Sequence, residues 1–309
     1  MSEETHADLL ETMISSLGAF DHHDVEWENV RWTAYLIHQH LRYEYPGQIR
    51  DLRQRLVIVP PERHGGQRLV THKLEVSAPL VAIQRERDDF GNHVVRLSVD
   101  YVERAIDFTA WIVIERDATA GPIRLAAPAD ARFGVPSPLT MPDDTLRAVA
   151  AALQVEESDP LALAHRINAW VSDAMTYEYG PTDVRTPAAE ALALRRGVCQ
   201  DYAHVMLALC RLCGLPARYV SGHLLGEGGT HAWVEVLLPD AADPASVIAH
   251  PFDPTHGRIP RLNYLTIAVG RDYGDVAPTS GTFRAPYGGH LSAKKHAGLT
   301  AVEYFSDKR

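Results

Sequence analysis

The chain has 309 residues, 46% hydrophobic and 23% charged, enough apolar material for one large packed domain or two ordinary ones and too much for a disordered polymer. Forty acidic residues against thirty basic ones leave a formal net charge of −10, which argues against a nucleic-acid partner, since such proteins display a basic stripe. Three cysteines cannot build a disulfide scaffold and suit a reducing compartment.

The N-terminal Met1-Ser2-Glu3-Glu4-Thr5-His6 lacks the positive start and apolar run of a signal peptide. No stretch approaches the ~20 apolar residues of a bilayer span. A cytoplasmic protein with no membrane partner is expected. Residues 1–30 read as an extension in which Leu9, Leu10, Met13, Ile14 and Leu17 recur at helical spacing up to Gly18.

Residues 31–118 change to period two. Val70, His72, Leu74 and Val76 alternate with more polar neighbours, as do His93, Val95, Leu97 and Val99. Asp88-Asp89-Phe90-Gly91-Asn92 reads as the turn between two such runs. Roughly five or six strands predict a small antiparallel sandwich or open barrel. Prolines 122, 128, 136, 138 and 142 mark residues 119–142 as a linker.

Helical signals dominate next, opening a segment assigned to residues 143–290. One helix starts at Asp144-Thr145, and Asp159-Pro160 caps a second with proline at its first position. Thr186-Pro187 predicts the same device for a short helix ending near Leu194. A further helix runs from about Val198 to Gly214, followed by strands at Ala217–His223, His231–Leu238 and Val247–Phe252. Helices first and strands afterwards predict an α+β fold. Residues 291–309 read as a C-terminal tail.

Within Arg196-Gly197-Val198-Cys199-Gln200-Asp201-Tyr202-Ala203-His204, Cys199 falls at a helix start, where free backbone N–H groups and the positive dipole end stabilise a thiolate. Its own N–H would point where an oxyanion forms, and Gly197 would let the chain turn into the helix. A nucleophilic thiol also needs a base and a group that orients the base. The strand at Thr230–Val236 places His231, Trp233 and Glu235 on one side, and Asp253 ends another strand. If these strands are neighbours, Asp253 accepts from one His231 nitrogen and leaves the other facing Cys199. Each residue alone has a plainer reading: a buried structural cysteine, a satisfied histidine, a turn-capping aspartate.

The flanks weigh against those plainer readings. The blocks Gly197–His204, Gly214–Gly222, His231–Val236 and Phe252–Thr255 together resemble the transglutaminase-like superfamily of papain-like cysteine enzymes. Tyr43-Glu44-Tyr45-Pro46, Gln67-Arg68-Leu69 and Asp89-Phe90-Gly91-Asn92 look like the β-rich N-terminal domain of bacterial members, and Gly270–Val276 like their segment after the aspartate block. The likeness runs from about residue 32 to 285. It implies a nucleophile at Cys199, a histidine at His231 and an aspartate at Asp253, on a helix packed against an antiparallel sheet. His256 stands where relatives often carry Asn, and Tyr177 is a candidate second oxyanion donor, with a core aromatic as the plainer reading.

Other candidates are weaker. Cys210 and Cys213 spell CxxC late in a helix and read as packing residues rather than a redox pair. Cys199, His231 and Asp253 as three zinc ligands lack a sequence-local ligand pair, and no EF-hand loop is present. Asp201 reads as a partner of the helix dipole; Arg271, Asp272 and Tyr273 read either as a cleft border or as an exposed loop. The expectation is a cysteine hydrolase without cofactor or metal, acting on an amide or isopeptide bond of a peptide or protein substrate. Acyl transfer to an amine and noncatalytic peptide binding are the alternatives. Oligomeric state is not legible.

Overall fold

The computed structural model describes residues 22–156, 159–227 and 229–305. The helix expected between Leu9 and Leu17 lies outside them. The strands are β1 Val30–Glu44, β2 Ile49–Leu56, β3 Arg63–His64, β4 Gln67–Val76, β5 Ala82–Arg87, β6 His93–Val102, β7 Ala105–Asp117 and β8 Ile123–Ala126 in the first part of the chain. Then come β9 Thr176–Tyr177, β10 Arg196–Gly197, β11 Ala217–Leu224, β12 His231–Pro239, β13 Ser246–Phe252, β14 Tyr264–Gly270, β15 Thr279–Arg284 and β16 His290–Tyr304. The helices are α1 Asp144–Glu156, α2 Pro160–Ala174, α3 Ala188–Leu194, α4 Cys199–Leu212 and α5 Tyr273–Val276.

The fold is α+β, as expected. The N-terminal part forms two antiparallel sheets, ordered β16-β1-β7-β4-β3 and β15-β2-β6-β5. Their facing side chains (Tyr35, Ile37, Leu41, Leu52, Val95, Leu97, Val99 and Phe108 among them) make one core. The predicted alternation of β6 holds, with Val95, Leu97 and Val99 all buried. The Asp88–Asn92 turn is closed by the Asp88 carboxylate, which accepts from the Phe90 and Asn92 amides, and Gly91 takes a φ of 83°.

Two boundaries differ from the sequence reading. Residues 291–304, read as tail, pair along nearly the whole of β1, and 279–284, placed with the helical segment, pair with β2. These strands are mostly exposed and polar, with only Gly298 and Leu299 of β16 buried. Backbone hydrogen bonds to β1 and β2 hold them, and their alternation is weak, with Ala297, Leu299, Val302 and Phe283 packing into the core. The linker is also not purely a connector, since β8 adds an edge strand to β13.

The second part packs α1–α4 on an antiparallel sheet ordered β14-β11-β12-β13-β8. Ala232, Val234 and Val236 of β12 share a core with Ala203, Leu207 and Cys210 of α4 and with Ile167 and Val171 of α2. Asp159 caps α2 as predicted, its carboxylate accepting from the Ala162 amide at 2.7 Å, with Pro160 in the first turn. Thr186-Pro187 does not repeat the device. Pro187 is itself the cap residue of α3 without a side-chain bond, and the Thr186 hydroxyl instead accepts from the Asp183 amide.

The outer edge of β14 would present unpaired backbone groups. Two side chains of the N-terminal part cover it. Gln67 donates to the Thr266 carbonyl at 2.7 Å and accepts from the Thr266 amide at 2.8 Å. Asn92 makes the same pair of bonds to Val269, at 2.7 and 2.8 Å. Each amide side chain acts as one rung of a missing strand.

Candidate active site

Cys199 is the first residue of α4, half-buried and unpaired. The chain enters it along β10, which pairs in parallel with β9. Asp201, 1% exposed, closes the first turn. Its Oδ2 accepts from the Val198 amide and from the Thr182 hydroxyl, both at 2.7 Å. The predicted dipole partner is therefore a capping residue. Gly197 is needed for a different reason from the one expected. Its φ is not positive, but a Cβ there would collide with the Asp201 carboxylate. The glycine makes room for the cap.

His231 opens β12 and is 2% exposed. The expected alternation holds, since Trp233 stacks along its ring and leaves Ala232 and Val234 to the α4 side. Gly222 lets this layer close, because a Cβ would strike the Trp233 ring and the Leu265 carbonyl. Asp253, fully buried, follows β13 and bridges to Arg258 through the backbone. Its Oδ2 accepts from His231 Nε2 at 3.0 Å, from His256 Nδ1 at 2.8 Å and from the Tyr264 hydroxyl at 2.5 Å. Its Oδ1 accepts from the Thr255 amide at 3.0 Å. Arg258 Nε donates to the Tyr264 hydroxyl at 2.8 Å, so the carboxylate sits at the end of a chain of donors.

With Nε2 committed to Asp253, the other His231 nitrogen is left for Cys199, whose side chain interacts with the ring. Burial opposes charge on His231, but Asp253, Cys199 and Glu227 outweigh it and lift the imidazole to about 11. Burial likewise opposes ionisation of Asp253, yet its bonds from His231, His256 and Tyr264 hold the carboxyl well below its ordinary range. The three predicted residues thus come together, and the pair behind the thiol is an imidazolium and a carboxylate.

Three further residues belong to the same cluster. Glu227, in the turn between β11 and β12, places Oε2 3.2 Å from His231 Nδ1 and Oε1 2.9 Å from His256 Nε2. Both histidines drive its carboxyl down to about 2 against the opposing effect of burial. Asp253 and Glu227 raise His256 to about 9. His256 was legible only as a departure from the usual Asn, Tyr264 lies in an apolar run, and Glu227 looks like turn material beside Gly226. Only their proximity to Asp253 and His231 reveals them.

The remaining candidates resolve as follows. Cys210 and Cys213 are buried in the helical core, and burial pushes both thiols up. Buried His204 packs on Tyr219 and accepts from the Tyr273 amide at 3.2 Å; burial lowers it to about 4. Asp272 is buried and caps α5, and Arg271 pairs with Asp275, so this segment braces α4 and is no exposed loop. Tyr177 is 43% exposed, beside Tyr179 and near Cys199 and Glu227, which overturns its core reading. Among the described residues, the ligand atoms that cluster within 4.8 Å are those of His231, Asp253 and His256, without Cys199. The three-ligand zinc reading therefore has no geometric support.

Residues 147–242 match the model of the transglutaminase-like superfamily, and residues 35–115 match that of the bacterial transglutaminase-like N-terminal region. The chain belongs to the transglutaminase-like superfamily. The core match includes Cys199 and His231 and stops before Asp253. An uncharacterized protein of Mycobacterium tuberculosis is 28% identical over 242 residues, covering 70% of this chain and 76% of the relative. One of Mycobacterium leprae is 36% identical over 124 residues, 37% of this chain and 42% of the other. Among solved structures, a proposed cysteine protease from Cytophaga hutchinsonii superposes with a TM-score of 0.70 at 22% identity, covering 89% of this chain and 92% of that one. That likeness concerns the fold, which this transglutaminase-like chain shares across both its parts. No helix among the described residues is long and apolar enough to cross a membrane.

Proposed function

We propose that the protein is a cysteine hydrolase, a peptidase or amidase acting on an amide or isopeptide carbonyl of a peptide or protein in the cytoplasm. The observation that carries this reading is the buried His231–Asp253 pair, bonded through Nε2 at 3.0 Å, beside a half-buried cysteine at a helix start. In the first step the Cys199 thiolate attacks the carbonyl carbon, and the Cys199 N–H donates to the oxyanion. His231 Nδ1 gives its proton to the leaving nitrogen as the C–N bond breaks, leaving a thioester. Neutral His231 then takes a proton from water, whose oxygen attacks the thioester and expels the thiolate. Asp253 holds the imidazole orientation and offsets its charge without taking the proton.

Acyl transfer to an amine uses the same first step, and water is favoured as acceptor because it competes at bulk concentration unless the cleft closes to exclude it. Incubation with a glutamine-containing peptide library, with and without a primary amine, separates the two, using Cys199→Ala as the blank. Cleavage or deamidation without amine adducts supports hydrolysis, and adducts support transfer. Iodoacetamide mapping tests the thiol itself: Cys199 should label ahead of Cys210 and Cys213, and His231→Ala should slow it. Equal, slow labelling of all three would sink the proposal, as noncatalytic peptide binding predicts.

A further inference from the structure

His231 is gripped from both sides. Asp253 takes Nε2 at 3.0 Å, and on the Cys199 side Glu227 Oε2 lies 3.2 Å from Nδ1. The approach is not an in-line hydrogen bond, because Nδ1 has no partner in line with its N–H. Glu227 thus stands against Nδ1 as an off-axis ion-pair partner. Its other oxygen is held by His256, which is held in turn by Asp253. The four side chains close a ring of two carboxylates and two imidazoles.

The charges of this ring matter for the thiol. Asp253 and Glu227 are anionic, and His231 and His256 are cationic at neutral pH given the shifts described above. The ring then sums to zero without Cys199, and a thiolate there adds an unbalanced negative charge. With Glu227 neutral, the thiolate would itself complete the balance. The other polar groups facing the ring, Tyr264 and Tyr177, are neutral hydroxyls, and Arg258 reaches it through the Tyr264 hydroxyl. None of them substitutes for Glu227.

We propose that Glu227 is a positioning residue that competes with the Cys199 thiolate for the Nδ1 side of His231 and so restrains the nucleophile until a substrate displaces it. Glu227 is suited to yield: its side chain is 36% exposed whereas that of His231 is 1% exposed. It also sits in a turn outside β11 and β12, with Gly226 at a φ of 96°. The inference rests on the hydrolase reading and concerns how its thiol is held at rest.

The test compares iodoacetamide alkylation of Cys199, followed by peptide mapping, in wild type, Glu227→Gln, Glu227→Asp and His231→Ala across pH 5–9. Glu227→Gln should label about tenfold faster at pH 7. Glu227→Asp, which keeps the charge, should stay near wild type. An unchanged or slower rate in Glu227→Gln overturns the inference. If His231→Ala slows labelling while Glu227→Gln changes nothing, the hydrolase reading stands and this one fails. If His231→Ala has no effect, the hydrolase reading fails. The His231 Nδ1 nitrogen-15 signal then decides the contact alone: a shift on Glu227→Gln supports it, and an unmoved signal overturns it.

Discussion

Replacing Asp253 with Asn isolates the charge behind His231, because the amide oxygen can still accept from Nε2. At 3.0 Å opposite unit charges attract by about 5 kcal/mol for an effective dielectric near 20. Removing one partner of a buried pair costs about 3–5 kcal/mol. The amide oxygen still accepts from Nε2, which places the expected loss at the lower end. About 3 kcal/mol taken from the thiolate–imidazolium state corresponds to a roughly 100-fold slower alkylation of Cys199 at pH 7. The Asn amide also faces a conflict. Oδ2 receives three donors and Oδ1 receives the Thr255 amide, so either orientation sets an NH2 group against a donor and destabilises the fold by about 1–3 kcal/mol. Iodoacetamide kinetics with peptide mapping, paired with urea melts followed by circular dichroism, separate the two effects. A folded Asp253→Asn protein that alkylates within threefold of wild type would refute the ion-pair reasoning.

Gly197→Ala should disrupt the Asp201 cap, since its Cβ meets that carboxylate. A loss of about 1–2 kcal/mol in urea melts and of the labelling preference for Cys199 is expected. Arg218→Met leaves Glu235, 1% exposed, with His64 as its remaining partner; it should cost about 3–5 kcal/mol, and the double variant Arg218→Met/Glu235→Leu should recover most of it. The two ring residues give opposite pH signatures. His256 is raised from 6.5 to about 9, so its stabilisation is complete below pH 6.5 and is lost as pH climbs through 9. Glu227 is lowered from 4.5 to about 2, so its contribution is present above pH 4.5 and is lost on acidification toward 2. Melts across pH should show each slope flattened, in His256→Gln and Glu227→Gln respectively.

Much of the site was readable because its parts sit in short contiguous blocks whose local chemistry is visible. Cys199 announces itself by a helix start, His231 by the alternation of β12, and Asp253 by the turn after β13. Glu227 and Tyr264 carry no such mark. Their roles depend on where a turn and an apolar strand fall in space, and β14 is buried at every position, so its tyrosine is indistinguishable from core. The same limit explains β16. A strand held by the backbone of β1 needs no hydrophobic alternation, and its Lys294, Lys295 and His296 read as tail.

The N-terminal residues that carried the family resemblance turn out to have a structural reason to be what they are. Gln67 and Asn92 each offer one donor and one acceptor to a single residue of β14, a task that an amide side chain performs and a carboxylate or hydroxyl does not. Tyr264, which opens β14, donates to Asp253, and Asp253 orients His231. The β-rich part is therefore joined to the His231–Asp253 pair through one clamped edge strand. Tyr35 adds a further tie, its hydroxyl donating to the Leu262 carbonyl at 2.8 Å just ahead of that strand. A buried carboxylate that receives three donors at one oxygen requires its neighbours to be fixed, and this docking supplies the fixation that a helical layer on the opposite face of the sheet does not.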